Sequence, residues 1–290
     1  MAGKSQRSWL ARLPIPAVLR GRARGLLLSV MIVVLAIAGA GEAWKRWGSL
    51  ATASDDYVVT PAKISITPQP NWIHADVKGE VIRDASLSRL ELRDPAVLEK
   101  VSQAFAMHSW VAKVKRVQKS FPAQLDVEIE YRRPVAMVEV NPNGRPGLLF
   151  IDAQGVLLPS EDFASNQARS YLRVAAGDVA PAGLYGTPWG SEKIAGAGRL
   201  AAAWGERWKP LDLYRIVVSE EPKSEITYEL QTQGGARILW GHAPGSEVKH
   251  EPRAQAKIDR LLAWAGKTPL DHSGDRPLID LRFDVKPDSS

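Results

Sequence analysis

Residues 25–41, "GLLLSVMIVVLAIAGAG", run for 17 positions without a charge, and this constrains the chain more than any other feature. A helix rising about 1.5 Å per residue would cover roughly 25 Å over that run, close to the ~30 Å core of a bilayer. Glu42 ends the run, and Trp44 and Trp47 follow where interfacial indoles sit. One membrane crossing is therefore expected. Lys4, Arg7, Arg12, Arg20, Arg22 and Arg24 precede the run with no acid among them. The positive-inside rule then places the N-terminus in the cytoplasm and the remainder beyond the membrane. The competing reading is a cleaved signal peptide, because "AGA" at 38–40 has the small-x-small form of a cleavage site. A basic region of 24 residues is long for such a leader, so an uncleaved anchor is the reading adopted.

The charge balance follows from that tail. The net charge of +6 comes from those six cations, and the 32 basic residues after Arg24 match 32 acidic ones. A nucleic-acid partner would need a basic patch in the folded part, and no excess is left to make one. The absence of cysteine excludes disulfides, thiol catalysis and thiolate zinc sites. With 45% hydrophobic residues over 290 positions, the chain can bury two modest cores.

The expected order is a basic cytoplasmic tail (1–24), a transmembrane helix (25–41), a tether (42–60), an α+β domain (61–134) and a mostly antiparallel β domain with flanking helices (135–286). "KISI" and "WIHADVKGEV" read as short extended segments. Asp94-Pro95 reads as the N-cap and first position of a helix with Val97, Leu98, Val101 and Phe105 on one stripe. In "HSWVAKVKRVQKSFPAQLDVEIEYRRPVA" (108–136), Leu125, Val127, Ile129 and Tyr131 alternate with Asp126, Glu128, Glu130 and Arg132. That period of two marks a strand with one buried face. Ala112 and Val114 share a parity that Val117 breaks, so a bulge is expected near Lys115–Arg116. Lys113, Lys115 and Lys119 would then neighbour the acidic row across the hairpin. Further strands are expected at "VAMVEV", "LLFIDAQGVLLP", "YLRVA", "YRIVV", "ITYELQT", "ARILWG" and "LIDLRFDV", with helices around 191–208 and 251–265. The last strand lies close to the chain end and is a candidate sheet edge.

Catalytic patterns are weak. His74, His108, His242, His250 and His272 are scattered, with no His-x-x-x-His pair, and neither a Gly-x-Ser-x-Gly elbow nor a phosphate loop occurs. Ser191 with Lys193 reads as a helix start with solvated charge rather than a Ser/Lys hydrolase. The glycines of "AGAGR" (195–199) read as close packing, and Trp204, Trp208, Trp240 and Trp264 as core or interface. No cofactor and no metal site is expected.

The tail, the apolar run, the 108–136 hairpin and the closing "LIDLRF" together resemble the FtsQ/DivIB family of bacterial division proteins. His108, Trp110, Val111, Pro122, Arg132, Arg133, Pro134, Val135 and Ala136 follow that family's hairpin pattern in order, and "FIDAQGVLLP" (150–159) is similar to its Asp-x-x-Gly hairpin. "GARILWG" and the helix carrying Lys257, Leu261 and Leu262 extend the resemblance over about residues 60–284. The start, "ISITPQPNWIHADVKGEV", departs from the family's Val-x-Gly-Asn signature, and the chain stops soon after "DLRF".

The resemblance implies a POTRA domain followed by the β domain, in a single-pass protein of the inner membrane that gathers at the division septum. It implies a scaffold rather than an enzyme, helping to regulate septal wall synthesis by binding FtsB- and FtsL-like partners, with no small-molecule substrate and no nucleic acid. The implied mode is edge-strand addition, carried over to Asp280, Arg282, Phe283 and Asp284. Taken alone, Leu278 with Asp280, and Ile279 with Leu281 and Phe283, are equally the two faces of an ordinary strand. The alternatives are a POTRA-bearing protein of outer-membrane assembly or secretion, which would carry a β-barrel pattern this chain lacks, and an anchored hydrolase, which lacks a motif.

Overall fold

The computed structural model describes residues 17–52, 57–120, 122–163, 169–220, 225–267, 270 and 278–283. The chain divides into two compact units, Met1–Val58 and Val59–Ser290. The described residues of the first include the helix α1 (Ala17–Thr52), of 36 residues. It overruns the expected span at both ends, into the basic tail and the segment read as a tether. Ala43, Lys45 and Arg46 are good helix formers, and Lys45 Nζ meets the Glu42 carboxylate one turn earlier at 3.2 Å, so nothing stops the helix at Gly41. Leu28–Arg46 is its most apolar stretch, 19 residues with none buried. Its length and composition suit a membrane span or a signal sequence.

The second unit contains β1 (Val58–Val59, its first residue just before the unit boundary), β2 (Ile64–Ile66), α2 (Val77–Asp84), β3 (Leu90–Glu91), α3 (Val97–Ala106), β4 (Val111–Ser120) and β5 (Gln124–Tyr131). A three-stranded sheet runs in the order β2-β5-β4, with β2 parallel and β4 antiparallel to β5. Leu125, Val127 and Ile129 of β5 bury against Val77, Val81 and Ile82 of α2 and Val97, Val101 and Phe105 of α3. The β4–β5 register shifts between Val114 and Arg116, where the parity break places a bulge, and again between Val111 and Lys113. Outside, Lys115 reaches Glu130 and Arg116 reaches Glu128, each at 3.5 Å. Both pairs are exposed and contribute at most about 1 kcal/mol apiece.

Two local readings are corrected here. "WIHADVKGEV" is not extended throughout: its second half is α2, started by Asp76, whose Oδ1 accepts the Gly79 N–H at 3.0 Å. Val77 and Val81 sit four apart and are both buried, so they form a helical stripe rather than one face of a strand. Asp94 does not cap α3 directly. Its Oδ1 accepts the Ala96 N–H at 2.9 Å and its carbonyl accepts from Val97, forming the turn that leads into the helix.

The chain continues as β6 (Ala136–Val140), β7 (Gly147–Ile151), β8 (Leu172–Ala175), α4 (Glu192–Trp204), β9 (Leu213–Glu220), β10 (Ile226–Thr232), β11 (Arg237–Gly241), α5 (Ala254–Ala265) and β12 (Leu278–Asp280). The strands form one sheet in the order β12-β11-β10-β9-β8-β6-β7. It is mixed, not mostly antiparallel: β6/β7, β9/β10 and β10/β11 are antiparallel, while β6/β8, β8/β9 and β11/β12 are parallel. The helices explain two of the parallel pairs, because α4 lies between β8 and β9 and α5 between β11 and β12 in the chain, and a crossover helix returns a strand parallel to its predecessor; β6 and β8 are joined through β7 instead.

Both helices cover one face, where Ile194, Leu200 and Trp204 of α4 and Ile258 and Leu261 of α5 meet Val138, Val174, Ile216, Leu230, Ile238 and Trp240. On the opposite face Arg237 pairs with Glu229 at 2.5 Å and Arg215 pairs with Glu139. At its far end that face is apolar: Met137 and Phe150 join Leu158 in the core of the three-stranded lobe. The two lobes thus share a hydrophobic core. Trp110 and Phe163 (centroids 5.9 Å apart) and the stacked Phe150–Phe163 pair (3.6 Å) continue it.

Candidate functional site at the sheet edge

The strand β12 is the terminal strand of the seven-stranded sheet, paired on one side only among the described residues. Leu278, Ile279 and Asp280 align with Arg237, Ile238 and Leu239 of β11, and the Leu281 N–H donates to the Leu239 carbonyl at 2.9 Å. Ile279 packs against the core and Leu281 is buried, so the alternation of "LIDL" orients the strand. Leu278 is 59% exposed and Phe283 63% exposed, which leaves two large apolar side chains in solvent beside an open edge.

Of the four residues carried over from the sequence, the structure brings three together. Asp280 Oδ1 accepts the Arg282 N–H at 2.9 Å, and the Arg282 guanidinium grips the same carboxylate through Nε at 3.0 Å and Nη2 at 2.8 Å. Those bonds outweigh burial and hold the Asp280 carboxyl below its usual range. The guanidinium carbon lies 5.5 Å from the centre of the Phe283 ring. Asp284 lies outside the described residues.

Arg260 belongs to the site and was not picked out in the sequence. From α5 its Nη1 donates to the Phe283 carbonyl at 2.7 Å and its Nη2 to the Asp280 carbonyl at 3.3 Å. A cation on a solvated helix face carries no sequence signal of that kind. Trp264, one turn further along α5, is 36% exposed.

Beneath this edge lies a buried polar cluster. Glu251 accepts from the His242 N–H at 2.9 Å, from His242 Nδ1 at 2.7 Å and from the Val248 N–H at 3.1 Å. Fully buried Lys257 donates to Glu251 at 2.5 Å and to the Trp240 carbonyl at 2.6 Å, with its ammonium 4.8 Å from the Trp240 ring centre. Burial pushes the Glu251 carboxyl up, but these donors, Lys257 first, reverse that and hold it below its ordinary value. The cluster fixes Gly241, at the end of β11, where an added Cβ would meet the Glu251 carboxylate and lie 3.1 Å from Arg282 Cγ.

Elsewhere, a cleft of about 300 Å³ between the lobes is lined by Arg132, Arg133, Asp152, Tyr171 and Glu206, among others. Among the described residues no three His, Asp or Glu side chains come together to hold a metal. Lys193 pairs with Glu220 at 2.6 Å rather than with Ser191. No protein-family model matches the chain, and neither does any curated protein.

Proposed function

We propose that this protein is a membrane-anchored scaffold of the FtsQ/DivIB type, which recruits FtsB- and FtsL-like division proteins and helps regulate septal wall synthesis. In this reading α1 is the anchor in the cytoplasmic membrane, and the Val59–Ser290 unit lies on the extracytoplasmic side at the septum. The observation that carries it is the pairing of an open edge strand with exposed Leu278 and Phe283 at the segment that resembles the family's partner-contacting strand. The first lobe places two helices, with the short β3 between them, after β2 and before the β4–β5 hairpin, and its sheet runs β2-β5-β4; this supports the same reading, since it is the arrangement expected of a POTRA unit. An added partner strand would gain main-chain hydrogen bonds along β12 and side-chain contacts with Phe283.

The test is co-purification of the full-length protein with the FtsB-like protein of its own host, paired with localisation of a fluorescent fusion. Septal localisation and loss of the complex in Phe283→Glu are expected. A diffuse peripheral signal throughout the cell cycle would refute the reading.

A further inference from the structure

We infer that the free edge of β12 is held shut by a lock made of Asp280, Arg282 and Arg260, and that a partner strand adds only when the lock opens. The inference rests on the edge-strand reading above. In a parallel pair the N–H and C=O of one residue point to the same side, and successive residues alternate. Since Leu281 donates to Leu239, residues 279 and 281 face β11. The main-chain groups of residues 278 and 280 therefore face the open edge, and Arg282 follows in a bend directly after it.

The Asp280 carbonyl on that edge and the Arg282 N–H, through which a longer ladder would continue, are already engaged from within the chain. The Asp280 side chain takes the Arg282 N–H, and Arg260 takes the Asp280 carbonyl. Arg260 also takes the Phe283 carbonyl, tying the segment after the strand back onto α5. Regular pairing stops at Asp280, the third residue of β12. A partner strand extending the ladder past Asp280 needs the same N–H and C=O groups, so it competes with the lock. Such capping suits a protein awaiting its partner, because an uncapped edge invites pairing with any extended chain.

The experiment uses the full-length chain in detergent micelles as wild type, Asp280→Ala and Asp280→Asn. Hydrogen exchange is read at the Arg282 amide in the free protein, and association kinetics are read with the soluble extracytoplasmic region of the host's FtsB-like protein. Asp280→Ala is expected to expose the Arg282 amide and to speed association about fivefold, the order given by losing one net hydrogen bond from the closed form. Asp280→Asn keeps an acceptor for that amide and is expected to fall between the two. Equal or slower association in Asp280→Ala, or an Arg282 amide that exchanges as in wild type, overturns the lock. If the wild type and both variants bind equally, the edge-strand reading stands and the lock falls. If none binds, both fall.

Discussion

Arg132 Nη1 donates to Asp152 Oδ2 at 2.8 Å, joining the residue that ends the β4–β5 hairpin to the turn after β7. Asp152 is 2% exposed and its other oxygen accepts the N–H groups of Gln154 and Val156, each at 2.9 Å. One carboxylate thus shapes the turn and ties one lobe to the other. Nearby, Trp72 Nε1 donates to the Arg132 carbonyl at 3.1 Å and Trp110 Nε1 to Asp162 at 2.5 Å. With the shared core around Met137 and Phe150, these bonds make the joint a packed interface rather than a linker.

Replacing Asp152 by Ala is expected to destabilise the protein by about 3 kcal/mol, because it leaves the half-buried Arg132 guanidinium and the buried Val156 amide without their acceptor and frees the Gln154 amide of the turn. Asp152→Asn keeps an acceptor for the turn and should cost less. Equilibrium urea unfolding of the detergent-solubilised protein checks both, and equal losses would show that the turn bonds carry no weight.

Gly186 and Gly177 offer a matched comparison. Both have positive φ, at 85° and 78°, but a Cβ on Gly186 would lie 2.7 Å from Ser109 Cα, whereas one on Gly177 meets nothing within 4 Å. Gly177→Ala should cost about 1 kcal/mol for its backbone conformation alone, and Gly186→Ala clearly more, since the loop must also leave the first lobe. Thermal unfolding of the two variants side by side gives the difference.

Glu251 sets an expectation for acid. Its folded carboxyl lies below the ordinary value of 4.5, so the folded state binds fewer protons than the unfolded chain near that pH. The resulting stabilisation is complete above 4.5 and is lost as pH falls through the lower, folded value. In Lys257→Met the carboxylate loses its strongest donor, and the acid limb of the stability profile should move to higher pH. At neutral pH the same change should cost about 3–5 kcal/mol, the loss expected when one member of a buried pair is removed. Urea midpoints measured across the acid range test both statements.

Phe283→Glu separates binding from folding. With its side chain 63% exposed, Phe283 contributes little to stability, and its replacement should leave the unfolding midpoint within about 0.5 kcal/mol of wild type. Affinity for the FtsB-like partner should fall about tenfold or more, as when an aromatic anchor is removed from an interface. Titration and unfolding on the same preparation measure the two quantities together.

The elements with strong local signals were legible in the sequence. Alternation from Leu125 to Tyr131 marked β5, the parity break at Lys115–Arg116 marked its partner's bulge, and the stripe of Val97, Leu98, Val101 and Phe105 marked α3, because burial on one face repeats along the chain with the period of the backbone. The last strand was visible too, but it is shorter than "LIDLRFDV": β12 covers Leu278–Asp280, and Arg282 and Phe283 follow in a bend where the Asp280 carboxylate takes the Arg282 N–H. The apolar run within α1 was equally plain. Helix α2 was misread because its apolar residues are β-branched and only the Asp76 cap decides for a helix.

What the sequence determined by itself, then, is which segments bury a face and where charge must stay in solvent. The tertiary structure decided which strands became neighbours, that α4 and α5 return theirs in parallel, that Met137 and Phe150 leave their own lobe's core for the other, and that Arg260 reaches β12 from α5. These are pairings between residues distant in the chain. No local period encodes them, because they arise only when separate surfaces compete to be buried against one another.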